Sequence, residues 1–329
     1  MFKHYPSLLI TKLYLPRSRS EHIARADLLR TLDTGLNRKL ILIAAAAGSG
    51  KTTLLADWCA RHPGQAGWLS LDTADNDPAR LLSYLIAAVQ TCYPHIGQEL
   101  LAALQSPQPP PLDTVLPALI NALATLPDRL ILVLDDYHVI DHPAIHSALT
   151  FLLDHLPPDI TLVLLTRTDP PLPLARFRAR QHLLELRAAD LRFTLTETTA
   201  YLTRALSVDL PSEAVAALDT HTEGWIAGLT LASLAMKSLS NDPSAPASVT
   251  RFIQDFTGSH RFILDYLIEE VLNHHQDQVR QFLLQTAILN RFNGSLCAAV
   301  TKNPDGQSML GYLEQHNLFL VPLDQSRTW

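Results

Sequence analysis

An α/β protein with a parallel sheet covered by helices on both faces, followed by a helical second half, is the fold class this sequence predicts. Three observations carry that reading. Apolar runs around Leu40–Ala47, Leu130–Leu134 and Ile160–Leu165 have the length of buried strands, and unbroken rather than alternating runs belong to strands buried on both faces. Stretches of helical period separate these runs, which is the alternation of a parallel sheet. After Thr194 the β-type runs give way to helical patterns until the last few residues.

Lys39–Ala44 reads as the first strand and Lys51–Arg61 as the helix behind it. Ala66–Leu71 is the second strand, followed by a helix around Pro78–Cys92. The proline-rich stretch Gln105–Leu112 is a loop, since proline breaks both kinds of element. Asp113–Leu126 is helical in period, Arg129–Leu134 is the third strand, Pro143–Leu156 a helix and Ile160–Leu165 the fourth strand. His182–Leu186 is a candidate fifth. In the second half, helices are expected from Thr196–Glu197, over Pro211–Thr220 and over Glu223–Met236. Ser240–Ser248, with two prolines among small polar residues, reads as a linker. Phe262, Ile263, Tyr266, Leu267, Val271 and Leu272 then recur at helical spacing. Helices over Gln278–Leu289 and near Gln307–Gln315 follow, and Asn317–Leu323 reads as a strand.

The chain has 329 residues, enough for two or three domains of roughly 100–200 residues each. A net charge of -6 gives no global attraction to nucleic acid or an anionic membrane. Cys59, Cys92 and Cys297 have neither paired nor metal-like spacing, which fits a reducing cytosol and argues against disulfides or zinc. No stretch approaches the roughly 20 apolar residues of a membrane span. No signal-peptide pattern opens the chain. The expectation is a cytoplasmic protein with no membrane partner.

The strongest chemical signal is Ala45-Ala46-Ala47-Gly48-Ser49-Gly50-Lys51-Thr52. It follows a strand and opens a helix, the context a phosphate-binding P-loop requires. The glycines allow backbone N–H groups to curl around phosphate oxygens, and the helix N-terminus adds partial positive charge. Ala47, Gly48, Ser49, Gly50, Lys51, Thr52 and Thr53 are the candidate phosphate contacts. Lys51 would reach the β- and γ-phosphates and the Thr52 hydroxyl would hold Mg²⁺. Ala45 stands where the motif usually has its first glycine, the least demanding of the glycine positions.

Leu130-Ile131-Leu132-Val133-Leu134-Asp135-Asp136 puts two acids at the C-terminal end of an apolar strand. Asp135 is the expected Mg²⁺ ligand, mostly through water. Asp136 is the expected residue that orients and polarises the attacking water. Leu164-Leu165-Thr166-Arg167 ends the next strand, and Arg167 would point at the γ-phosphate. Thr166-Arg167-Thr168-Asp169 loosely mimics a guanine-recognition motif. Its lysine is replaced, however, and the G-protein order would need a further strand between it and the Asp135 strand. Trp225 in Glu223-Gly224-Trp225 is either a core aromatic or a wall of the nucleotide site. Asp72, Asp75 and Asp77 read as loop solvation and helix capping. The fourteen histidines, His138 and His275 among them, form no ligand set.

Together these segments resemble the STAND class of signal-transduction P-loop ATPases, and most of all the large LuxR-type transcriptional regulators of the MalT kind. The likeness runs from Thr11-Lys12-Leu13 to Trp329. It takes in Arg25 with its neighbours, the P-loop, Trp68-Leu69-Ser70-Leu71-Asp72, Leu134-Asp135-Asp136-Tyr137-His138, Thr166-Arg167, Glu185-Leu186-Arg187, Leu191-Arg192-Phe193-Thr194, Glu223-Gly224-Trp225 and Tyr266-Leu267-Ile268-Glu269-Glu270-Val271-Leu272. The resemblance implies a nucleotide-binding P-loop domain over 1–194, a small helical domain over 195–245 and a winged-helix domain over 246–329. It also implies that ADP holds the protein closed, and that ATP with an inducer opens it to self-association. Ile23, Ala24 and Arg25 would lie along adenine and ribose, and Trp225 would stand where many relatives carry proline near the base. In that family the inducer sensor and the promoter-binding helix-turn-helix come later in the chain. The last strand, with no returning partner before Trp329, leads to the expectation that this chain is a piece of a larger regulator.

The function this predicts is an ATP/ADP-binding switch with slow Mg-dependent hydrolysis. Two alternatives belong to other classes. One is a stand-alone P-loop ATPase or kinase, for which no acceptor signature is present. The other is a DNA-binding winged-helix module. From Arg251 onward, six Lys/Arg face eight Asp/Glu, the wrong sign for a domain that must neutralise phosphates.

Overall fold

The structure, a computed structural model, describes residues 8–17, 22–237, 253, 261–289, 291–316, 318 and 320. The chain divides into two compact units. The first is Met1–Ser20, Ala24–Ala44 and Lys51–Asp190, and the second is Glu21–Ile23, Ala45–Gly50 and Leu191–Trp329.

In the first unit, β1 (Leu40–Ala44), β2 (Ala66–Ser70), β3 (Leu130–Asp135), β4 (Ile160–Thr166) and β5 (Leu183–Arg187) form one sheet in the order β2-β3-β4-β1-β5. All four pairings are parallel. Every residue of β1, β3 and β4 is buried, whereas β2 and β5 are buried only in part. The sequence encodes that difference. The three inner strands are apolar nearly throughout, and the edge strand β5 carries Glu185 and Arg187, as an edge that must resist further pairing should. β4 stands between β1 and β3, so the acids of β3 end one strand away from the P-loop strand.

The helices of this unit are α1 (Ala26–Gly35), α2 (Lys51–Ala60), α3 (Pro78–Cys92), α4 (Gln98–Leu104), α5 (Leu112–Leu123), α6 (Pro143–His155), α7 (Leu174–Ala179) and α8 (Ala188–Leu191). α4 and α7 escaped the sequence reading because each has only six or seven residues, too few turns for a periodic pattern to emerge. α3 starts where its sequence dictates. Asp77 accepts from the Arg80 N–H at 2.7 Å and Pro78 occupies the first helical position. Asp72 likewise caps the short turn Thr73–Asn76. Asp75 bears out the capping, closing a box with Asp72, but departs from the expectation of loop solvation. It is fully buried, ion-paired with Lys12 and with Arg80 at 3.2 Å, and accepts from the Asp72 N–H at 2.9 Å. Lys12, itself buried, lies 4.7 Å from the centre of the Tyr84 ring. A buried carboxylate is tolerable here because two cations and a backbone donor replace its water.

The second unit is helical among its described residues: α9 (Leu195–Leu206), α10 (Ser212–Thr222), α11 (Ile226–Lys237), α12 (Arg261–Glu270), α13 (Asp277–Thr286), α14 (Gly294–Thr301) and α15 (Gly306–Gln315). α9 opens with a reciprocal capping box. The Thr194 hydroxyl accepts from the Glu197 N–H, and the Glu197 carboxylate accepts from the Thr194 N–H at 2.8 Å. One apolar cluster joins Tyr201, Leu202, Leu218, Leu229 and Met236, and a second joins Val279, Phe282, Cys297, Leu310 and Leu313. The helix expected over Glu223–Met236 begins three residues later, at Ile226. Glu223 and Gly224 both take left-handed φ, 50° and 69°, which ends α10 and turns the chain before α11. A Cβ on Gly224 would stand 2.5 Å from the Phe193 carbonyl oxygen, so this turn requires glycine. The expected linker Ser240–Ser248 lies outside the described residues, as does the terminal strand apart from Leu318 and Leu320. No helix among the described residues is long and apolar enough to cross a membrane.

Candidate functional site

In the first unit the sheet brings Lys51, Thr52, Asp135, Asp136 and Arg167 to the C-terminal ends of its strands. Strand register does the positioning. Ala44, the last residue of β1, is paired with Thr166 of β4, and Ser70 of β2 is paired with Asp135. Lys51 and Thr52 begin α2, so the chain turns from β1 into that helix across the same end of the sheet.

The Thr52 hydroxyl sits 3.2 and 3.1 Å from the two carboxylate oxygens of Asp135 and donates to them. The Asp136 N–H donates to Asp135 Oδ1 at 3.0 Å. Asp135 is buried, at 4% exposure. Burial, and then the neighbouring Asp136 charge, push its carboxyl up to about 7, against the Thr52 and Asp136 hydrogen bonds and Lys51. Lys51 is also buried. Burial first, and then the Arg167 cation, bring its ammonium down to about 8, with Asp136 and Asp135 opposing. Asp136 holds left-handed backbone angles (φ 58°, ψ 37°) and keeps a half-exposed side chain. A non-glycine residue held there is uncommon and clusters at functional sites. His138 has Nδ1 3.8 Å from Asp136 Oδ1. The Thr166 hydroxyl donates to the Thr168 carbonyl at 2.6 Å and accepts from the Thr168 N–H at 3.2 Å, so Arg167 sits within a tight turn.

The loop Ala45–Gly50 is counted with the second unit, whose residues hold it. Gly48 and Gly50 have φ of 70° and 81°, as backbone that curls N–H groups to one side demands. The Ala227 N–H donates to the Gly48 carbonyl at 3.2 Å, and the Trp225 indole N–H donates to the Ala47 carbonyl at 3.3 Å. A Cβ on Gly48 would meet Ala227 Cβ at 2.5 Å and the Tyr266 hydroxyl at 2.6 Å. The Ser49 hydroxyl turns inward to the Ala46 carbonyl at 2.9 Å. Ala227 and Tyr266 are the loop neighbours that sequence reasoning missed. Ala227 acts only through its backbone and leaves no side-chain signature. Tyr266 was legible as one apolar position of a helical pattern and as part of a segment carrying the resemblance, and neither marks it as a neighbour of this loop.

Ile23 packs against the apolar cluster around Tyr201, Ala24 is exposed, and Arg25 is buried just ahead of α1. Thr53 is exposed on the first turn of α2. Among the described residues no group of three or more His, Cys, Asp or Glu is placed to hold a metal. The Thr52–Asp135 pair does fit magnesium. It is a hard donor set of one hydroxyl and one carboxylate that already meet, the sparse protein ligation this ion uses when phosphate oxygens and water complete its shell.

Comparison with known proteins bears on this arrangement. Residues 268–329 match the family model described as the MalT winged helix domain. The HTH-type transcriptional regulator MalT of Cronobacter sakazakii is 37% identical over 323 residues, 98% of this chain and 35% of that protein. MalT of Klebsiella pneumoniae is 36% identical and MalT of Yersinia enterocolitica 37%, each over 322 residues with the same coverage. Among solved structures, a Walker-type ATPase of Pyrococcus abyssi superposes with a TM-score of 0.60 at 16% identity, covering 94% of both chains. A STAND protein with a tetratricopeptide repeat sensor from Pyrococcus horikoshii reaches 0.50 at 15% identity, covering 92% of this chain and 40% of that one. These structural likenesses show the fold, a P-loop ATPase sheet with its helical continuation. The chain spans about a third of the length of the curated relatives it matches. Over 98% of its own length, this chain is a homologue of the MalT-type transcriptional regulators.

Proposed function

We propose that this chain is the nucleotide switch of a MalT-type regulator, binding ATP or ADP with magnesium and hydrolysing ATP slowly. The observation that most supports this is the Thr52 hydroxyl meeting both oxygens of buried Asp135, two residues past a loop bent by Gly48 and Gly50. Lys51 takes the β- and γ-phosphates, whose charge relieves its repulsion with Arg167. Thr52 and Asp135 hold magnesium, which when bound neutralises charge on the phosphates. Asp136 orients and polarises the attacking water, and Arg167 contacts the γ-phosphate. Ala47, Ser49 and Thr53 complete the phosphate contacts, and Ile23, Ala24, Arg25 and Trp225 lie toward the base and ribose.

In this reading 1–194 is the nucleotide domain, 195–245 the helical domain and 246–329 the winged-helix domain, in a cytoplasmic protein. The output is a population shift between an ADP state and a self-associating ATP state. Inducer and promoter recognition fall to parts of MalT-type regulators that this chain does not span. The test is the nucleotide retained after native purification, read by mass spectrometry, with light scattering in ATP and in ADP. Retained ADP and larger particles in ATP are expected. A protein that retains no nucleotide and binds neither ATP nor ADP by calorimetry would overturn the proposal.

A further inference from the structure

We infer that Arg187 is a positioning residue for Arg167, acting through an ion-pair brace that arches past the end of the P-loop strand; this rests on the reading of Arg167 as a γ-phosphate contact. Register sets the geometry. Ala44 ends β1 with Thr166 of β4 beside it on one side and Arg187 of β5 on the other. Those two strands are therefore about 9.5 Å apart, two strand spacings, with β1 between them and no ladder to join them. The side chains make the connection instead. Arg187 is ion-paired with Asp169, and its other terminal nitrogen donates to Glu185 at 2.6 Å. Glu185 is in turn gripped by the Arg178 fork, at 2.8 and 2.9 Å. Asp169 follows Arg167 by two residues.

The loop after β4 leaves a hydrogen-bonded turn and runs into a proline-rich stretch. Upstream, Arg167 leaves from the hydroxyl-bound turn of Thr166 and Thr168. Downstream, Pro170, Pro171 and Pro173 stiffen the chain. Between these two stretches the Asp169–Arg187 pair ties the loop to β5. The fork geometry of arginine suits the task, because one guanidinium must engage carboxylates on two different segments. A partly exposed ion pair adds little to stability, so a brace of this kind shows itself in the placement of Arg167, where small displacements cost much.

The experiment measures affinities for ADP and for a non-hydrolysable ATP analogue, by calorimetry, in wild type, Arg187→Gln, Arg167→Ala and the double variant. The preference for the ATP analogue over ADP should fall at least about threefold in Arg187→Gln and not fall further when the change is added to Arg167→Ala, the non-additivity of coupled sites. Asp169→Asn should behave like Arg187→Gln, and it carries the test if the latter fails to fold. An unchanged preference in Arg187→Gln or Asp169→Asn, or an equal fall on the Arg167→Ala background, overturns the inference. If Arg167→Ala itself leaves the preference unchanged, the reading of Arg167 falls first and the brace with it.

Discussion

Replacing Asp135 by asparagine should stabilise the protein stripped of nucleotide while abolishing its response to magnesium. Asp135 is buried, and its carboxyl is raised from 3.8 to about 7, chiefly by burial. At about 1.4 kcal/mol per tenfold change in ionisation, that rise amounts to about 4 kcal/mol of lost stability once the group is ionised. Relaxation and water entry reduce such figures, so about half is a fair expectation. Asparagine keeps the shape and one acceptor for the Thr52 hydroxyl and the Asp136 N–H, and losing the other contact costs about 1 kcal/mol. The net gain is on the order of 1 kcal/mol or more, a rise of about 2–4 °C in Tm for a unit of this size. The sign follows from linkage. The folded carboxyl titrates higher than the unfolded one, so its stabilising contribution is complete below about 3.8 and lost as the pH rises through about 7. Scanning calorimetry of stripped protein should therefore show the variant melting higher than wild type at pH 8, with the advantage gone at pH 4. Adding Mg·ATP should raise the wild-type Tm and not that of the variant beyond the effect of ATP alone. A variant that melts lower at pH 8, or gains equally at pH 4 and 8, would refute the assignment of the burden to ionised Asp135.

Lys51→Ala should abolish tight triphosphate binding and leave the protein folded; undiminished ATP affinity by calorimetry would remove Lys51 from the site. Because the Lys51 ammonium is depressed to about 8, the cation that meets the phosphates is lost as the pH rises through that value. Wild-type ATP affinity should then fall several-fold between pH 7.5 and 9.5, and an equal fall in Lys51→Ala would assign the effect elsewhere. Asp136→Ala should slow hydrolysis at least about tenfold while ATP still binds, and unchanged turnover would show that another group orients the water. Arg167→Ala should weaken ATP more than ADP, whereas equal weakening of both would show that the γ-phosphate is not its partner.

How much was legible depended on whether a residue acts through its neighbours in sequence. The inner strands β1, β3 and β4 were readable because a strand buried on both faces must be apolar throughout. The glycine loop and the two acids were readable because they stand at fixed offsets from a strand end. The reading went wrong at Glu223–Gly224, where two left-handed residues delay α11 until Ile226; an exposed glutamate gives no hint that its backbone is turning. Solvation of Asp75 also failed, since its partner Lys12 lies 63 residues away in the chain and no local pattern announces the pairing. Ala227 was invisible for a third reason. Its contribution to the loop is a backbone N–H, which every residue but proline possesses.

These particulars bear on the switch proposed above. In the protein alone, two buried groups of opposite charge are each pushed toward neutrality, Asp135 up to about 7 and Lys51 down to about 8. Asp136, beside Asp135, holds a left-handed backbone, a conformation that for a residue other than glycine costs about 1 kcal/mol or more. The fully buried inner strands offset that burden, so it can persist at one end of the sheet without unfolding it. In the proposed site, a triphosphate with magnesium would supply the counter-charges for both groups at once: anionic oxygens for Lys51 and Arg167, and a cation for Asp135. A diphosphate supplies fewer of them. The difference between the two ligands is thus concentrated on Arg167 and the groups that place it, and a ligand can shift an equilibrium only by as much as its interactions differ between the two states. The distinction between ATP and ADP should accordingly be more sensitive to changes at Arg167 than at Lys51.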